Sequence, residues 1–159
     1  MNLQIDIQCA SGESVPDEDD LRSWINAALS GRRSADTEVS IRLVDIDEMT
    51  TLNGSFRGKS GPTNVLSFPS DLPQELELPL LGDIVICAPV VRDEAQAQHK
   101  SLQAHWAHMA VHGTLHLLGF DHIEEDEAVT MESLETKILA SLNYPCPYGD
   151  ETPKEHADA

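Results

Sequence analysis

Three histidines, His112, His116 and His122, are the residues of this chain whose type and spacing carry the clearest chemistry. His112 and His116 stand four residues apart in a stretch that reads as helix. That spacing puts them on one face, one turn apart, ~6 Å along the axis, where two imidazoles can ligate one ion. Gly119 follows three residues after His116, at the point where a helix stops in a left-handed C-terminal turn. The reversed chain can then bring His122 back toward the pair. Three neutral imidazole nitrogens with an open fourth position are the donor set of a catalytic zinc site, so the expected chemistry is metal-assisted hydrolysis with one Zn2+ per chain. The plain alternative is three histidines packed on a partly buried helix.

The same spacing occurs in the metzincin peptidase motif, with one difference: Gly113 stands where those peptidases carry the general-base glutamate. His105 and His108 continue the stripe, and His108 is four residues before His112. A His108–His112 pair lacks a following turn to supply a third ligand, so these two are read as packing groups or as supports for the ligands. Asp121 could orient a ligand, but Asp121 and Glu124 have capping-box spacing, and the cap is the favoured reading.

The elements that must position this stripe follow from periodicity. Leu3, Ile5, Ile7 and Cys9 alternate with polar residues as in a half-buried strand. Pro16 and the acids after it open a helix with Leu21, Trp24, Ile25, Ala28 and Leu29 on its apolar face, ended by Gly31. Val39, Ile41 and Leu43 mark a second strand, and a short helix is expected over residues 47–52. Residues 53–63 hold Gly54, Gly58, Gly61 and Pro62 and read as a loop. Strands follow over residues 64–68 and 83–87, with an irregular proline-containing segment between them. Helices are expected over residues 89–99, 102–118 and 123–142, then a loose tail. The expected fold class is α+β: one domain over residues 1–148, a small mixed β-sheet packed against helices, the metal site on a central helix and the turn after it, and a flexible tail over residues 149–159.

Composition limits the function. The formal net charge of −18 disfavours nonspecific attraction to nucleic acid or an anionic membrane. Its distribution is uneven: residues 17–20 form one acidic cluster and residues 121–135 hold seven acids, whereas residues 56–69 carry Arg57 and Lys59 and no acid. The three cysteines, Cys9, Cys87 and Cys146, are far apart, which argues against a disulfide framework or a cysteine zinc site. No stretch approaches the ~20 apolar residues of a membrane span. The start does not read as a signal peptide, so the cytoplasm is the expected location, with no membrane partner.

Residues 112–122, His-Gly-Thr-Leu-His-Leu-Leu-Gly-Phe-Asp-His, resemble the signature of the YbeY-type endoribonucleases, bacterial rRNA maturation factors. The block Arg57-Gly58-Lys59, continuing through residues 62–69 (Pro-Thr-Asn-Val-Leu-Ser-Phe-Pro), resembles the family's second block, and Leu81-Gly82-Asp83-Ile84 its third. The resemblance covers about residues 3–148. It implies a zinc-dependent endoribonuclease preferring single-stranded RNA, acting in 3′-end maturation of small-subunit (16S) rRNA and in ribosome quality control. It also implies small-subunit ribosomal proteins and assembly factors as partners. The family's metal histidines carry over to His112, His116 and His122, and its functionally important arginine to Arg57.

From the residues themselves, an arginine on a glycine-rich, acid-free stretch can hold a phosphate at two points; an exposed arginine on a mobile loop is the plainer reading. The expected reaction is hydrolysis of a phosphodiester, with metal-activated water and Arg57 neutralising phosphate charge. Gly113 cannot be a base, and the substrate 2′-hydroxyl is an alternative nucleophile. Two other functions stay open: a metalloprotease-like hydrolase, and a non-catalytic ribosome assembly factor with a structural metal, for which the acidic surface suits basic ribosomal proteins. If RNA is the substrate, the acids of residues 17–20 and 124–135 are expected mostly on faces away from a cleft lined by the metal, Arg57 and Lys59. RNA affinity should then depend only shallowly on salt.

Overall fold

The computed structural model describes residues 2–70, 79–120 and 124–147. Nine elements follow one another: β1 (Leu3–Cys9), α1 (Glu18–Leu29), β2 (Thr37–Val44), α2 (Ile46–Arg57), β3 (Val65–Pro69), β4 (Leu80–Cys87), α3 (Ala88–Ala97), α4 (Leu102–Leu117) and α5 (Glu125–Ser141). The four strands form one sheet in the order β1-β2-β4-β3. β1, β2 and β4 run parallel, and β3 pairs antiparallel with β4, so that the sheet is mixed and β3 is an edge. This is the expected α+β class.

Both sheet faces are covered, and β4 shows how. Ile84 and Ile86 enter the large core with α1, α4 and α5. Val85 and Cys87 point the other way, into a smaller cluster with Val44, Met49 and Leu66 that Leu52 of α2 also packs against. An interior strand covered on both faces reads as an unbroken apolar run, which is why Ile84-Val85-Ile86-Cys87 shows no alternation. α4 is the central helix: its residues from His105 through Leu115 are all buried. Ser101 caps it by accepting from the Ala104 N–H at 3.0 Å.

α1 forms as its sequence dictates. The Asp17 side chain accepts from the Asp20 N–H at 2.9 Å, and Glu18, Asp19 and Asp20 place negative charge at the positive end of the helix dipole. Its five expected apolar residues are the five buried ones. Asp17→Ala removes the cap and is expected to cost about 1 kcal/mol of unfolding free energy. Urea denaturation checks this: an unchanged midpoint would show that the first turn needs no cap.

Two expectations are corrected. The helix expected over residues 47–52 continues to Arg57 and ends at Gly58, whose φ of 66° closes it in the left-handed conformation. Asn53 and Gly54 are therefore helical, not loop. The buried Asn53 makes this possible by donating through Nδ2 to the Gly61 carbonyl at 2.9 Å, a long-range bond that local turn preferences cannot reveal. At α5 the N-cap is Glu124, paired reciprocally with Glu127. The expected Asp121 cap falls one turn too early, because the helix starts at Glu125. Asp121 itself, like the expected tail over residues 149–159, lies outside the described residues.

Candidate metal centre

α4 carries the site, and its position rests on a missing side chain. A Cβ added at Gly113 would stand 3.0 Å from Ile84 Cγ2 and 3.3 Å from Ser67 Oγ. Ser67 Oγ instead donates to the Gly113 carbonyl at 3.0 Å. Glycine thus lets the helix settle on β3 and β4 at van der Waals distance. It also bears on the peptidase alternative. A glutamate at 113 would point into the sheet, so the position is closed to a general base as well as lacking one.

The opposite face of α4 presents the histidines to α5. Glu135 of α5 is fully buried and uses both carboxylate oxygens. Oε2 lies 2.8 Å from His112 Nδ1, and Oε1 lies 2.5 Å from His108 Nε2. Burial alone would push the Glu135 carboxyl up, but the two imidazoles hold it well below the usual carboxylate range. Burial drives His108 toward the neutral form, against the pull of Glu135. An ionised carboxylate can only accept, so the His112 Nδ1 that faces it is the donor, and Nε2 is the ring nitrogen turned away from Glu135. That Nε2 lies 3.1 Å from His116 Nε2. One helical turn further back, His105 Nε2 meets Glu94 Oε1 at 2.8 Å, and Glu94 also accepts from Asn64 Nδ2 at 3.2 Å.

The His112–His116 pair fits a metal. Two nitrogens each ~2.0–2.1 Å from a tetrahedral zinc stand ~3.4 Å apart, close to the 3.1 Å here. After His116 the chain turns as the glycine demands. Gly119 has φ of 104°, its N–H bonds the His116 carbonyl at 3.0 Å and the Phe120 N–H bonds the Leu115 carbonyl at 3.0 Å. These are the two hydrogen bonds of a Schellman cap. His122 lies outside the described residues. Among the described residues, His108, His112 and Glu135 also bring one ligand atom each within 4.8 Å of one another and could hold an ion themselves.

Arg57 ends α2, whose Met49 and Leu52 pack on the sheet face opposite α4. It sits on the last helical turn, not on a mobile loop. Arg22, Arg32, Arg33, Arg42 and Arg92 are each hydrogen-bonded to the protein. Arg57 alone of the described arginines makes no such bond among the described residues, and with exposed Lys59 it faces solvent.

The residue that sequence reasoning missed is Glu135, grouped there with acids expected to face water. Glu132 and Glu135 are both buried, which corrects that expectation. The signal was present: Glu135 follows Met131 by four residues and precedes Ile138 by three, the spacing of the buried stripe. An acid on that stripe needs a buried partner.

A family model described as Endoribonuclease YbeY matches residues 6–143. The chain belongs to this family. The resemblance seen in the histidine, arginine and Leu81-Gly82 blocks is thereby borne out. An endoribonuclease YbeY of Pseudomonas putida (strain W619) is 57% identical over 150 residues, covering 94% of this chain and 95% of the relative. One of Cellvibrio japonicus is 55% identical over 148 residues, covering 92% of this chain and 84% of the relative. A Thermotoga maritima protein of known solution structure is similar in fold, with a TM-score of 0.62 and 25% identity over 98% of this chain and 97% of that one.

Proposed function

We propose that this member of the family is a zinc-dependent endoribonuclease that cuts single-stranded RNA, with the metal held by His112, His116 and His122. Family membership supports cleavage within an RNA strand. The observation that carries the metal dependence is the approach of the His112 and His116 Nε2 atoms to 3.1 Å, with the far side of His112 bonded to a buried carboxylate. The biological setting we propose is 3′-end maturation of 16S rRNA and ribosome quality control in the cytoplasm, with small-subunit ribosomal proteins and assembly factors as partners. Among the described residues no helix is long and apolar enough to cross a membrane.

When bound, zinc supplies a Lewis acid for a phosphoryl oxygen and lowers the pKa of water toward ~7. The chain's own residues do the rest. Arg57, uncommitted among the described residues, can take two phosphate oxygens through its planar guanidinium. Lys59 adds a second positive charge on a stretch without acids. Because these few cations stand against a net charge of −18, affinity for free RNA rests on few phosphate contacts. The acidic remainder suits basic ribosomal proteins. The Gly113 packing against Ile84 weighs against the metalloprotease alternative.

The test pairs elemental analysis of the purified chain with cleavage of a single-stranded RNA before and after chelation. Arg57→Ala should keep its zinc and its melting temperature, since an exposed surface cation contributes within about 0.5 kcal/mol. It should lose about 100-fold in cleavage rate, the scale of removing one transition-state charge contact. Cleavage at the wild-type rate would remove Arg57 from the site. Zinc present with no cleavage of any RNA would favour the non-catalytic assembly factor.

A further inference from the structure

We propose that Glu135 is a positioning residue of the metal centre: it holds His112 in the one tautomer and ring orientation that aims Nε2 at the metal, while His108 keeps the carboxylate from turning. The proposal rests on the metal reading above and adds a residue from a different helix to it.

The geometry assigns each atom a task. Glu135 projects from α5, whose Met131, Ile138 and Leu139 are locked in the core, so the carboxylate enters the site on a rigid support. Its Oε2 takes the His112 Nδ1 proton at 2.8 Å. Its Oε1 is held by His108 Nε2 at 2.5 Å. With both oxygens engaged and no solvent exposure, the group has no freedom to rotate, and neither has the ring it holds. A carboxylate on the far nitrogen of a ligating histidine fixes the tautomer and raises the basicity of the metal-facing nitrogen. His116 approaches His112 on that metal-facing side, its Nε2 lying 3.1 Å from that of His112. The cluster His108, His112 and Glu135 could alternatively be the ligand set itself. Against this, the Nδ1 of His112 and the Nε2 of His108 are the atoms that the carboxylate already occupies, while the Nε2 atoms of His112 and His116 converge outside that network.

Zinc affinity is measured by competition with a chelating dye on the full chain for wild type, Glu135→Gln, His108→Gln and His116→Ala. Positioning predicts that Glu135→Gln still binds one zinc but 10- to 100-fold more weakly, that His108→Gln weakens binding less, and that His116→Ala does not bind. If Glu135→Gln binds within twofold of wild type, the proposal is overturned. If Glu135→Gln and His108→Gln both lose zinc altogether while His116→Ala keeps it, Glu135 is a ligand and the proposal is again overturned. Zinc uptake by wild type tests the metal reading separately from these ratios. Should Glu135→Gln fail to fold, imidazole nitrogen NMR of metal-free wild type decides. His112 protonated at Nδ1 and bare at Nε2 is the expected state, and the reverse tautomer refutes the bond on which the proposal stands.

Discussion

His116→Ala is expected to leave the chain folded, without metal, and at least ~1000-fold slower in RNA cleavage, which is ~4 kcal/mol of transition-state stabilisation. The size follows from what the residue does. Its Nε2 stands 3.1 Å from that of His112, and without it only two of the three proposed histidine ligands remain. The fold should survive because His116 is only partly buried, on the last turn of α4, unlike its buried neighbours Leu115 and Leu117. The melting temperature of the metal-free variant should therefore match that of metal-free wild type, while the stabilisation that wild type gains on adding zinc should vanish. Elemental analysis after gel filtration and a melting curve with and without zinc check both halves. A full equivalent of zinc in the variant would sink the assignment.

Gly82→Ala should have the largest effect on stability, at about 3 kcal/mol or more. Gly82 has φ of 154°, a backbone that other residues adopt only under strain. A Cβ there would stand 2.5 Å from the Phe68 carbonyl oxygen, 2.7 Å from Leu117 Cδ2 and 3.0 Å from Pro69 Cα. Strain and overpacking add, each on the order of 1–3 kcal/mol. Two of these contacts are backbone of β3, which pairs with β4 at this point through Phe68↔Asp83 and Pro69↔Gly82, so they cannot yield without opening the edge of the sheet. The third, Leu117, adjoins His116, so zinc affinity should fall along with stability. Denaturant titration measures the first effect, and a loss below about 1 kcal/mol would show that the site relaxes easily. The Leu81-Gly82-Asp83-Ile84 block, visible in the sequence only as a resemblance, thus has a mechanical reason: it lets strand and helix meet beside the histidines.

Some errors of sequence reading share one cause. α2 was cut short because Gly54 reads as a breaker, yet the helix continues through it. An interior glycine costs ~1 kcal/mol, and the buried Asn53 bonded to Gly61 and the Met49 contacts offset that. Arg57 accordingly moved from a loop to a helix end. Glu135 was assigned to water because acids usually belong there. Its burial depends on two imidazoles from α4, 27 and 23 residues away in the chain.

By itself the sequence determined the features whose physics is local. A four-residue spacing places His112 and His116 on one face of a helix whatever that helix packs against. Gly119 takes a positive φ because it alone can do so without steric cost, and the chain reverses there. The apolar face of α1, the alternation of β2 and the α+β class follow from the same short-range rules of period and capping. Only the tertiary structure decided which groups meet across elements. It brought the Glu135 carboxylate behind His112, sealed Gly113 against Ile84, set β3 antiparallel on β4, and packed α2 on the sheet face opposite α4. The reason is that a hydrogen bond between buried groups has its strength and direction from packing that excludes water, and that packing is a property of the assembled helices and strands rather than of any one of them.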